Sequence, residues 1–335
     1  MGSKTIALIV TSVVLFLSVL YLIGHRTGLH HLYASNEALY KDVESAAIRT
    51  GIEKDLVRIF GTAEDPKMPS GMGINSADLR NGRDFYRRQC LHCHGVSGDG
   101  AGTTAPFIYP RPRDYRRGVF KIRSTVGDGA KPTREDLLLT LKNGMLGSMM
   151  PSFSLFDDAT LGTAVDYVIH LSMRGELEQK LVIQHEGEEE YDPDLADSTV
   201  ASIVKAWQDA PGQVAGPKTS RPAPTPESIA RGRELFQAQG KGTPCSACHG
   251  VYGKGDGPYA DSYQDEWNPE LKIRPADLTQ GVYRGGRRPI DLWRRIHIGI
   301  PGTPMPGSAG SMSDEDIWHI VNYLQSIVET GAPNR

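Results

Sequence analysis

Apolar positions along the chain recur at helical spacing, and no alternating strand pattern of useful length appears, so a mainly α fold is predicted. Thr5 to Ile23 is a run of 19 residues without charge. As a helix it would span about 28 Å, close to the thickness of a bilayer's hydrocarbon layer. The run is longer than the core of a secretion signal, no small-residue cleavage motif follows, and Gly24-His25-Arg26 ends it. An uncleaved transmembrane anchor over residues 1–27 is therefore expected. Lys4 and Arg26 balance across it and leave its orientation open. Residues 28–75 form a juxtamembrane segment. Leu39, Val43, Ala46, Ala47, Ile52, Leu56 and Ile59 give it helical periodicity, which suits a surface against the membrane, one against a partner, or a plain spacer.

Two further pairs of helices stand out. Ala77 to Gln89 and Ile229 to Gln239 have mixed apolar and charged faces. Leu161–Leu171 and Ile317–Ile327 follow Asp157-Asp158 and Ser313-Asp314-Glu315, which supply N-caps and first-turn acids. Residues 176–225 read as a linker, acidic through Glu188-Glu189-Glu190 and then rich in Pro, Gly and Ala from Pro211 to Pro226. The acidic run suits a solvated linker better than a docking surface.

Length and composition narrow the class. The 335 residues suggest two ordinary domains, and a net charge of −3 lacks the basic excess of a nucleic-acid binder, so no nucleic-acid partner is expected. The four cysteines are too few for a disulfide scaffold of this size. They fall instead into Cys90-Leu91-His92-Cys93-His94 and Cys245-Ser246-Ala247-Cys248-His249, two copies of C-x-x-C-H, the attachment motif of c-type haem. Two thiols one helical turn apart can add across the two vinyl groups of one porphyrin, and the adjacent imidazole then faces the iron. A redox pair needs no such histidine, and a zinc site needs a second pair nearby.

Methionine is a usual sixth ligand where haem only carries electrons. Cys90 to Met150 and Cys245 to Met305 are both 60 positions (150 − 90 and 305 − 245), and each methionine precedes a proline. Met149 competes with Met150, but the position before proline aligns with Met305. The candidate set is thus Cys90, Cys93, His94, Cys245, Cys248 and His249 for haem attachment, with His94, Met150, His249 and Met305 on two irons. Arg111-Pro112-Arg113-Asp114 before Gly118-Val119-Phe120 parallels Arg274-Pro275-Ala276-Asp277 before Gly281-Val282-Tyr283. Gly82 with Tyr86 parallels Gly232 with Phe236, and Val165-Asp166-Tyr167 parallels Val321-Asn322-Tyr323. His94 to Arg111 is 17 positions and His249 to Arg274 is 25; the second half recovers the 8 before its methionine, where 32 positions become 24. One module is used twice.

Each half resembles a class I cytochrome c domain, over about 76–175 and 226–330. The resemblance implies that the first and last helices of each domain cross, with Gly82 and Tyr86 against Tyr167, and Gly232 and Phe236 against Tyr323. It also implies two covalently bound haem c groups, attached outside the bacterial cytoplasm. The N-terminus would then be cytoplasmic and the haem domains periplasmic, on a single-pass inner-membrane protein contacting the lipid bilayer through Thr5 to Ile23. The expected layout is an anchor (1–27), a juxtamembrane segment (28–75), domain 1 (76–175), a linker (176–225) and domain 2 (226–335).

With both irons six-coordinate, electron transfer with no catalysis of its own is expected. The partners would be membrane respiratory complexes or other redox proteins. The layout is similar to the dihaem subunit of cbb-type oxidases, although the linker and juxtamembrane segment are long for it. Cytochrome subunits of alternative complex III or of periplasmic dehydrogenases fit about as well. A dihaem peroxidase needs an openable haem, for which His170, His297 or His319 would have to replace a methionine. A dihaem thiosulfate dehydrogenase typically uses an unusual ligand such as cysteine, and here every cysteine is committed. Arg111, Tyr115, Arg274 and Tyr283 are candidates for contacts to haem propionates. Arg87, Arg88, Arg116, Arg117, Lys121 and Arg123, with Arg284, Arg287, Arg288, Arg294 and Arg295, form two basic clusters that suit either a solvated face or the steering of an acidic partner.

Overall fold

The computed structural model describes residue 33 and residues 36–238 and 244–328. Thr5 to Ile23 lies outside these. Among the described residues no helix is long and apolar enough to cross a membrane.

Helix α1 (Ala46–Phe60) is capped by Ser45 and α2 (Ser76–Gln89) by Asn75. A one-turn helix, α3 (Leu91–His94), carries the first motif, and α4 (Arg134–Asn143) starts with a Thr133/Asp136 capping box. Helix α5 (Asp158–Gln184) is capped by Asp157 through the Thr160 N–H at 2.8 Å, and α6 (Asp194–Asp209) follows it. In the second half come α7 (Pro226–Gln237), α8 (Cys245–His249), α9 (Pro289–Ile298) and α10 (Asp314–Ser326), the last capped by Ser313. Only isolated bridges, such as Thr125 with Val214, occur among the described residues.

In each half the first and last helices cross at the glycine that the repeat marked. A Cβ at Gly82 would lie 1.9 Å from the Thr163 carbonyl oxygen, and one at Gly232 1.9 Å from that of His319. Tyr86 then meets Tyr167 edge-on at 5.3 Å, and Phe236 meets Tyr323 at 5.4 Å. Because Cys90 caps the end of α2, this crossing sets where the first motif sits.

The first half is larger than its motif-bearing core. The buried face of α1, made by Ile48, Ile52, Leu56 and Phe60, packs in one cluster with α5. The boundary expected at residue 175 falls inside α5, which continues because Leu177, Leu181 and Val182 pack in the same core as Val200, Ile203, Val204 and Trp207 of α6. Two acids of the expected linker are buried and engaged: Glu176 accepts from Lys131 Nζ at 2.7 Å, and Glu178 accepts from Tyr40 at 3.2 Å. Glu188, Glu189 and Glu190 are exposed.

The Pro-rich stretch is pinned at both ends. Val126 N–H donates to the Gln213 carbonyl at 2.9 Å and Ala215 N–H to that of Ser124 at 2.8 Å, tying the stretch to the first half. Trp318 Nε1 donates to the Thr219 carbonyl at 2.9 Å, and Arg221 donates to Asn322 at 2.7 Å and to Gln325 at 2.6 Å, tying it to α10.

Candidate functional site

Both motifs form a single helical turn that puts the two thiols on one side. In the first, the Cys93 and His94 N–H groups donate to the Cys90 carbonyl at 3.1 and 2.9 Å. Gly95 and Gly250 end the turns with φ of +74° and +78°, a left-handed conformation that favours glycine. The chain then folds back over the motif. Gly100 and Gly102 N–H groups donate to His94 and Cys93 carbonyls at 3.0 and 3.1 Å, and Gly255 and Gly257 do the same to His249 and Cys248 at 2.8 and 3.2 Å. The motif reading missed these glycines. Their signal was in the chain: Gly95, Gly98, Gly100 and Gly102 recur 155 positions later as Gly250, Gly253, Gly255 and Gly257.

The methionine turns share their main hydrogen bonds. Met145 N–H donates to the Met150 carbonyl at 3.1 Å, and Ile300 N–H to the Met305 carbonyl at 3.1 Å. Met150 N–H donates to Ser148 Oγ and Met305 N–H to Thr303 Oγ1, both at 3.3 Å. Met150 and Met305 are half-buried, whereas Met149 is 65% exposed, so the turn presents the methionine before proline to the protein's interior.

The histidines are set up as neutral donors. His249 Nδ1 meets the Ala276 carbonyl at 3.4 Å. The corresponding backbone beside His94 is that of Arg113, and His94 Nδ1 is buried with no bonded partner. The ring of His94 stacks on Tyr115 at 4.8 Å. Burial pushes His94 down to about 4 and lowers His249 as well, so both imidazoles are neutral near pH 7, the form that ligates a metal.

The thiols point away from redox or zinc chemistry. None is in a disulfide, and burial pushes Cys90 up to about 12 and raises Cys245 and Cys248 too. A redox-active pair needs a depressed thiol. Among the described residues no group of three or more His, Cys, Asp and Glu side chains could hold a metal ion by itself. Paired thiols on one turn, a neutral imidazole whose Nε2 is left for iron, and a thioether on a rigid turn fit a covalently attached haem.

The other histidines are engaged elsewhere or aside. His170 is fully buried, with Nε2 against Tyr33 Oη and Nδ1 against the Lys67 carbonyl, both at 2.9 Å. His319 Nδ1 bonds Ser228 at 2.8 Å, and His297 stacks on Trp293 at 4.4 Å. Of the propionate candidates, Arg111 pairs with Glu270 at 3.4 Å and Arg274 with Asp261 at 2.6 Å, while Tyr283 donates to the Leu324 carbonyl at 3.0 Å.

Much of the two basic clusters is consumed inside the protein. Arg116 pairs with Asp114 at 2.9 Å, Arg117 with Glu266 at 3.6 Å, and Lys121 with Asp265 at 4.0 Å. Arg295 donates to the carbonyls of Lys121, at 3.0 Å, and Arg123. Part of a cluster in sequence thus becomes a contact between the halves, because Arg117, Lys121 and Arg295 find partners far away along the chain.

Comparison with known proteins agrees with this geometry. Residues 229–327 match the family described as Cytochrome c, and residues 77–168 match Cytochrome C oxidase, cbb3-type, subunit III. No curated protein matches the chain. Among solved structures, a chain of the Kuenenia stuttgartiensis reducing HAO-like protein complex is similar, with 27% identity and a TM-score of 0.58, over 74% of this chain and 96% of that one. Matched motif and methionine turns in two halves and a cytochrome family on each lead to one conclusion: the chain carries two cytochrome c domains in tandem, a kind of domain that binds haem c covalently and uses it to carry electrons.

Proposed function

We propose that the protein is a membrane-anchored dihaem c-type cytochrome that passes electrons between respiratory membrane complexes or other redox proteins on the periplasmic side, as a subunit of a larger complex or docked to one. The observation that carries this reading is the repeated ligand frame, in which Met150 and Met305 sit on turns with the same main hydrogen bonds, each 60 positions from the first cysteine of its motif. Bound haem supplies a one-electron ferric/ferrous couple. The chain supplies the rest. Cys90 and Cys93, with Cys245 and Cys248, tether the groups, and His94 and His249 offer Nε2. Met150 and Met305 would each offer a thioether to the iron, a soft ligand that would favour the reduced state.

Two features support a place in a larger assembly. The first half matches a cbb3-type oxidase subunit, and the similar Kuenenia chain belongs to a complex of a reducing HAO-like protein. The anchor is Thr5 to Ile23, with the N-terminus in the cytoplasm of a bacterial cell.

A haem count and a carbon monoxide difference spectrum of the reduced, detergent-extracted protein test this reading. The expected result is two haems per chain with negligible carbon monoxide binding, and a protein that leaves the membrane fraction when residues 1–27 are removed. Binding of carbon monoxide by a haem of the intact protein would mean an open iron and would replace this reading with that of a peroxide-reducing enzyme.

A further inference from the structure

The two halves differ most in the eight positions added between the second motif and Arg274, and the structure shows where they go. Residues 262–272 form a stiffened loop. Asp265 N–H donates to the Leu271 carbonyl at 2.8 Å, Ile273 N–H to that of Tyr263 at 3.1 Å, and Asp265 Oδ1 accepts from the Trp267 and Asn268 N–H groups at 2.9 and 3.1 Å. This loop reaches the first half. Tyr109 donates to its Lys272 carbonyl, and Glu270, Glu266 and Asp265 face Arg111, Arg117 and Lys121.

At its tip, the guanidinium of Arg113 lies 3.7 Å over the Trp267 ring, and that of Arg117 lies 5.1 Å away. Both terminal nitrogens of Arg113 are buried without an acceptor, so the indole face and the nearby carboxylates are what offset its lost hydration. Arg113 belongs to the backbone beside His94. At the outer edge of the ring, beside Arg113, lies the second methionine turn, where a Cβ at Gly302 would run into both Trp267 and Arg113. The matching glycine of the first turn, Gly147, also touches the opposite half, since Arg284 donates to its carbonyl at 3.2 Å.

We propose that loop 262–272 is a docking arm, with Trp267 as a positioning residue that holds the histidine side of the first site against the methionine side of the second and so fixes how the two haems lie relative to each other. Exposed ion pairs are screened by salt and contribute little, whereas a half-buried cation–π stack whose guanidinium nitrogens are out of solvent is screened less. Trp267 therefore matters more than Glu266 or Glu270. The proposal rests on the dihaem reading above.

The test uses the full, haem-loaded chain in detergent with Trp267→Ala, Trp267→Phe and Glu270→Lys. Small-angle scattering reports how the halves are arranged whether or not haem is present, and pulsed electron paramagnetic resonance reports the distance distribution between the two ferric haems. The expected result is one narrow distance distribution in the unmodified protein. Trp267→Ala should broaden it and enlarge the particle while each haem's optical spectrum stays unchanged. Trp267→Phe, which keeps an aromatic face, should restore the narrow distribution, and Glu270→Lys should leave it nearly as it was. An unchanged distribution and particle size in Trp267→Ala would overturn the proposal. Failure of the dihaem reading would show separately, as a haem count below two.

Discussion

Replacing Gly82 by alanine tests the crossing that positions the first site. In an exposed helix interior the change would add about 1 kcal/mol of stability through helix propensity. Here the new Cβ would stand 1.9 Å from the Thr163 carbonyl oxygen and 3.1 Å from the Tyr167 Cβ. Carbon and oxygen settle at about 3.3 Å or more, so α2 and α5 have to separate by over an ångström. Backbone on one side and a fully packed ring on the other leave nothing flexible to yield. Overpacking of this kind costs roughly 1–3 kcal/mol, and a clash with backbone belongs at the upper end, so about 2 kcal/mol remains after the propensity gain. At about 2–4 °C per kcal/mol, Gly82→Ala should melt several degrees below the unmodified protein. It should also incorporate less haem at the first motif, because Cys90 moves with the end of α2. Gly162→Ala is the control on the same α5: its Cβ would meet only the guanidinium of Arg134, the half-exposed end of a flexible side chain that can shift along its ion pair with Asp166 without parting any backbone. Differential scanning calorimetry of the two variants decides the matter. If Gly82→Ala melted at or above the unmodified temperature, as Gly162→Ala should, the close crossing would not be the constraint described.

Met150→Ala and Met305→Ala should each leave haem attached, open that iron to carbon monoxide and lower its potential; a native spectrum and titration would refute the ligand assignment. His170, fully buried and bonded at both ring nitrogens, is pushed down to about 3, chiefly by burial, against about 6.5 when unfolded. The unfolded chain binds the extra proton, so this stability is complete above pH 6.5 and is lost as pH falls toward 3, by about 2 kcal/mol at pH 5. Denaturant midpoints at pH 7 and 5 measure it, and a His170→Gln variant should lose that part of the slope. Lys131→Ala strips the near partner from Glu176, where both side chains are buried, and should cost about 3–5 kcal/mol. Lys131→Met with Glu176→Leu should recover most of that in chemical denaturation.

The motifs, the methionine turns and the helix caps were legible because each is a local pattern, and the second copy repeats many positions at an offset of 155. What the sequence hid was pairing at a distance. Ile52 and Leu56 announce an apolar stripe, but a stripe does not name the surface that covers it, and α5 does so from more than a hundred positions away. Glu176 and Glu178 read as solvated acids until Lys131 and Tyr40 stand beside them. The arginines after the first motif suited either a solvated face or an acidic partner, and part of that cluster meets the added loop of the second half instead. The eight added residues were visible as a number; only the fold shows that they reach across.

The pinned Pro-rich stretch changes how strong the contact between the halves has to be. Two free proteins held by a few ion pairs, a few hydrogen bonds and one stacked ring would meet only at their own concentration. Joined through residues 213–221, the second half is confined near the first at an effective concentration on the order of millimolar. A contact with a standalone dissociation constant near 1 mM, about 4 kcal/mol, is then already half closed, and each further 1.4 kcal/mol shifts the balance tenfold. The balance between closed and open forms is therefore within reach of a single substitution, so related chains can tune how tightly the halves are held by changing one side chain and leaving both haem frames untouched.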